Sequence, residues 1–87
     1  MKRVYKYPVP TTAAKFTLQL PLDADIIRID WQNDKLCLWA VCDPDAQLVT
    51  RKFRLYGTGQ DIDKDCLYID TYYHGPLVLH IFEDYSQ

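Results

Sequence analysis

Runs of alternating apolar and polar residues, each closed by turn chemistry, cover most of the 87-residue chain. Side chains in a strand point to opposite faces with a period of two, so each run predicts one strand. Val4 to Tyr7 is the first, stopped by Pro8-Val9-Pro10. Phe16, Leu18 and Leu20 then alternate with Thr17 and Gln19 up to Pro21. In the third run Ile27, Ile29 and Trp31 share one face and Arg28, Asp30 and Gln32 the other. Asn33-Asp34 predicts a two-residue hairpin loop without the usual glycine. Lys35 to Cys42 is apolar on both faces, Leu36, Leu38 and Ala40 against Cys37, Trp39 and Val41. Both sides of that strand call for cover, from the protein's own layers or from a partner subunit.

After the Asp43-Pro44-Asp45 turn, Val49, Arg51, Phe53 and Leu55 share a face opposite Lys52, Arg54 and Tyr56. Gly57-Thr58-Gly59 ends this run, and a polar loop with Asp61, Asp63 and Asp65 follows. Leu67, Ile69 and Thr71 alternate with Tyr68, Asp70 and Tyr72, placing the two tyrosines on one face. Gly75-Pro76 turns the chain into a last apolar run, Leu77 to Phe82, and Glu83 to Gln87 reads as a loose tail. No segment carries a helical stripe. The reading is one all-β domain over 1–87, a small antiparallel sandwich or barrel of six to seven strands.

Composition narrows the chemistry. Ten basic and twelve acidic residues give a net charge of -2, which argues against a nucleic-acid polymer as partner. No run approaches 18 apolar residues, and the start lacks the apolar stretch of a secretion signal, so no membrane and a cytoplasmic location are expected. Cys37, Cys42 and Cys66 form no CxxC and read as reduced thiols. Aromatic residues at 14% and two-faced apolar strands exceed what one thin core absorbs, so self-association is expected.

Gly57-Thr58-Gly59 is the best local candidate for a site, because glycines let backbone N–H groups converge on an anion. Arg51 and Arg54 would neutralise the charge, and Tyr56 or Tyr72 would stack on a base. The alternative is a turn that merely leads out of a strand. The sequence holds neither GxxxxGK[ST] nor GxGxxG. Position six of a calcium loop begun at Asp61 would be Cys66 and position twelve Tyr72, which argues against an EF-hand and for a solvated acidic loop. His74 and His80 stand at no metal spacing, so neither metal, cofactor nor enzymatic activity is expected.

Several motifs run in order along most of the chain: Lys6-Tyr7-Pro8-Val9-Pro10, Leu36 through Pro44 (LCLWAVCDP), Arg51 through Gly59 (RKFRLYGTG) and Leu77 through Glu83 (LVLHIFE). In these the chain resembles a family of small uncharacterised proteins found in bacteriophage and some bacterial genomes. Asp70 departs from that pattern, standing where a glycine is usual. The resemblance implies an all-β fold and a phage protein in the host cytoplasm, and carries no activity. The expected function is non-enzymatic binding, with possible sequestration, of a phosphorylated ligand such as a nucleotide or cyclic nucleotide, as part of counter-defence. The alternative is a protein-interaction module that inhibits a host protein or serves as a virion accessory or structural component.

Overall fold

The computed structural model describes residues 1–11 and 13–86. Seven strands form, β1 (Arg3–Pro8), β2 (Lys15–Pro21), β3 (Asp25–Gln32), β4 (Lys35–Cys42), β5 (Leu48–Gly57), β6 (Cys66–His74) and β7 (Leu77–Asp84). They make a three-stranded sheet, β1-β4-β3, and a four-stranded sheet, β2-β5-β7-β6, with every pairing antiparallel. The two sheets stack as a sandwich rather than closing as a barrel. Their inner faces supply the core: Leu36, Leu38, Ala40 and Cys42 of β4 meet Phe53 and Leu55 of β5, Ile81 of β7 and Leu20 of β2. Alternation along each strand drives this, since one face is apolar and must be taken from water.

Turn chemistry sets the hairpin registers. Asn33 and Asp34 both hold positive φ, 50° and 65°, the signature of a type I′ loop, and Gln32 pairs with Lys35 across it. Gly75 has φ 57° and precedes Pro76, the sign pattern of a II′ loop between His74 and Leu77.

Two strands depart from simple alternation. β3 slips register between Ile26 and Arg28, and β6 between Tyr68 and Asp70. In β3 the bulge turns Ile26 inward and leaves Ile27 54% exposed, so Ile27 does not share the buried face of Ile29 and Trp31. In β6 it separates the two tyrosines: Tyr68 is exposed and Tyr72 is buried. β3 and β6 are edge strands of opposite sheets, and here the sheets meet. The Asp70 carboxylate accepts from the Ile29 N–H at 2.7 Å, and the Trp31 indole N–H donates to the Tyr73 carbonyl at 2.7 Å.

The end of the chain is fixed through residue 86, contrary to the loose tail expected. β7 runs to Asp84, Tyr85 N–H donates to the Asp65 carbonyl at 2.7 Å, and the Ser86 N–H and hydroxyl both donate to Asp84. Gln87 lies outside the described residues. No helix of the described residues is long and apolar enough to cross a membrane.

Candidate functional site

The outer face of the four-stranded sheet is polar on its β2–β5 half and aromatic on its β7–β6 half. Register places Lys15 opposite Arg54, Arg54 opposite Phe82, and Phe82 opposite Tyr68. One unbroken row therefore crosses all four strands, two cations followed by two aromatic rings. At about 4.8 Å per strand it spans about 14 Å.

Over the cationic half lies an open groove of about 520 Å³. Its floor is the paired segments Lys15–Thr17 and Lys52–Arg54, and Lys64, Asp84 and Ser86 complete it. Four cations face one carboxylate, a formal excess of three positive charges on a chain whose net charge is -2. Asp61, Asp63 and Asp65 belong to the same connection as Lys64 but do not line the groove. Asp84 is already committed: it accepts from Arg54 Nε at 2.8 Å and from Ser86. These donors, Ser86 first and Arg54 next, hold its carboxyl well below the usual carboxylate range. Lys52 Nζ donates to the Ser86 carbonyl at 2.9 Å. Among the described residues Lys15 and Lys64 form no ion pair. Lys15 stands directly opposite Arg54 on the neighbouring strand, and the Asp84 carboxylate already offsets the Arg54 charge.

Arg54 is the one residue of the expected phosphate site that lines this groove. Arg51 projects from the inner face of β5, where its guanidinium grips both oxygens of Glu83 at 2.6 and 2.7 Å and donates to the Ala24 carbonyl. Its side chain is 19% exposed and that of Glu83 6%. The Gly57-Thr58-Gly59 segment is a turn closed on itself: Gln60 N–H donates to the Gly57 carbonyl, Gly57 N–H donates to the Gln60 side chain, and Gly59 holds φ 89°. Tyr72 is buried and its hydroxyl donates to the Thr11 carbonyl at 3.0 Å. Tyr56, on the outer face, is also buried; its ring meets Phe82 edge-on at 5.5 Å.

The aromatic half holds a network that the sequence reading did not assemble. Thr58 Oγ1 lies 2.9 Å from His80 Nε2, Thr71 Oγ1 lies 2.9 Å from His80 Nδ1, and Tyr68 Oη lies 2.7 Å from Thr71 Oγ1. The histidine thus links the glycine-flanked turn to β6. A usable signal was present, since Thr71 and His80 fall opposite each other once the β6–β7 hairpin is registered on Gly75-Pro76. The bulge at Tyr68–Asp70 hid the other half, because strict alternation puts Tyr68 and Thr71 on opposite faces. Among the described residues no three His, Cys, Asp or Glu side chains are grouped to hold a metal ion.

No curated protein and no solved structure matches this chain. The family model described as a domain of unknown function, DUF7352, matches residues 1–87, and the chain belongs to that family.

Proposed function

We propose that the protein is a non-enzymatic binding protein whose ligand is a small phosphorylated molecule, held in the groove over β2 and β5. The observation that carries this reading is the charge of the groove: Lys15, Lys52, Arg54 and Lys64 around one carboxylate that Arg54 and Ser86 already satisfy. Ammonium groups act as point charges on a phosphate, each worth about 1 kcal/mol at 4 Å in water, and three surplus charges give an affinity that falls with salt. In the phage setting that the sequence motifs imply, such binding would sequester a phosphorylated host signal in the cytoplasm.

The test is titration with inorganic pyrophosphate, followed by amide chemical shifts at low and at moderate salt. Shifts should cluster at 15–17, 52–54 and 64, weaken as salt rises, and vanish in a Lys15→Glu, Lys52→Glu double variant. Binding that survives the double variant would overturn the reading. A second reading, a protein-interaction module, rests on the tip of the β6–β7 hairpin, where Tyr73 is 70% exposed and Leu77 54%. Self-association through that tip would appear in sedimentation as a mass that Tyr73→Ala returns to the monomer.

A further inference from the structure

We infer that the ligand of the groove is a nucleotide, and that its base lies against Tyr68 on the aromatic half of the same sheet face. This rests on the phosphate reading above and adds a second subsite to it. The row Lys15, Arg54, Phe82, Tyr68 puts the two halves on one sheet face, with Tyr68 two strands and about 10 Å from Arg54, a span that a ligand with an anionic end and a flat apolar end can bridge. Tyr68 is 55% exposed and meets Phe82 edge-on at 5.6 Å. An exposed aromatic ring on the same sheet face as a cationic groove is the arrangement by which proteins bind bases by stacking and phosphates by charge.

The ring is also held in place. Its hydroxyl is bonded to Thr71, Thr71 to His80 Nδ1, and His80 Nε2 to Thr58. An exposed tyrosine otherwise loses rotamer freedom when a base stacks on it, and a ring already fixed avoids that loss. Thr58, Thr71 and His80 are therefore positioning residues for Tyr68. The glycine-flanked turn serves the ligand indirectly, through the hydroxyl that it presents to His80.

The closing experiment compares tripolyphosphate with the four common ribonucleoside triphosphates by isothermal titration. Tripolyphosphate carries at least as much negative charge, so any advantage of a nucleotide comes from its nucleoside part. The expected result is that at least one nucleotide binds about tenfold or more tightly than tripolyphosphate. Tyr68→Ala and Tyr68→Leu should erase that difference while leaving tripolyphosphate affinity unchanged; Tyr68→Phe, which keeps the ring but not its bond to Thr71, should reduce it about as far as His80→Ala does. His80→Ala should reduce the nucleotide advantage without touching tripolyphosphate. Equal affinity for tripolyphosphate and all four nucleotides overturns the base subsite and leaves the phosphate reading standing. So does a Tyr68→Ala variant that weakens both alike. Binding of neither overturns both.

Discussion

Tyr56 sends its hydroxyl into the protein where it finds no hydrogen-bond partner. Burial, and then the neighbouring Cys66, push its ionisation above the ordinary tyrosine value of 10.0. A buried hydroxyl without a partner costs about 1–3 kcal/mol of desolvation. Tyr56→Phe keeps the ring against Phe82 and removes that cost, so it should stabilise by about 1 kcal/mol and raise Tm by about 4–8 °C. The pH dependence follows from the direction of the shift. A phenol whose folded pKa is raised contributes stability that is complete below pH 10 and lost as pH rises through the folded value. The alkaline limb of a stability profile should therefore be shallower in the Phe variant, and an unchanged limb would show that Tyr56 is solvated. Little of this residue's role was legible in the sequence. Its place on the outer face was correct, but alternation says nothing about a loop that folds back over that face.

At the scale of elements the bulges decide the outcome. Period two read β4 and β5 correctly because both keep register throughout, with Leu36, Leu38, Ala40 and Cys42 buried on one side. It failed in β3 and β6, where one extra residue reverses every side chain beyond it, moving Ile27 out and Tyr72 in. A bulge leaves backbone groups without ladder partners, and the two bulges answer each other: Asp70, at the slip in β6, accepts the Ile29 N–H just past the slip in β3, and its second oxygen accepts from Thr71 N–H. Asp70→Ala should cost about 1.5–3 kcal/mol, the range for hydrogen bonds to a charged acceptor, and Asp70→Asn, whose amide keeps one acceptor oxygen for two N–H donors, should recover only part of it. Urea titration of both variants measures this. Equal stability of the Ala variant and the wild type would mean that the junction of β3 and β6 does not depend on that carboxylate.

For the whole molecule, thinness is the governing fact. The Cα envelope measures 40 × 35 × 16 Å, and the accessible surface of 5899 Å² exceeds the roughly 5,300 Å² expected for this mass. In so thin a sandwich the Arg51–Glu83 pair occupies inner-face positions that would otherwise be apolar. Arg51 was read from the sequence as a ligand cation because its charge is visible there and its partner, 32 positions away, is not. Removing one member of a buried pair strands the other, so Arg51→Ala should cost about 3–5 kcal/mol. Arg51→Met with Glu83→Leu should return most of it, and neither change should alter pyrophosphate binding. The groove itself was half legible: Lys52 and Arg54 share a strand face in the sequence, but Lys15 and Lys64 join them only through the β2–β5 pairing and the course of the loop.

The pairing of β1 with β4 and β2 with β5 also sets an order of events at the ribosome. Arg3 waits for Cys42 and Lys15 for Arg54. At about 5–20 residues per second, each strand is left without its partner for on the order of two to eight seconds after it is made. During that interval the hairpin of β3 and β4 is the first pairing available. An unpaired strand is a template for aggregation, and charges and prolines are what blunt it. The opening segment carries Lys2, Arg3, Lys6, Pro8, Pro10, Lys15 and Pro21. Lys15 is one of these charges, at the first position of β2, the strand that must wait for β5.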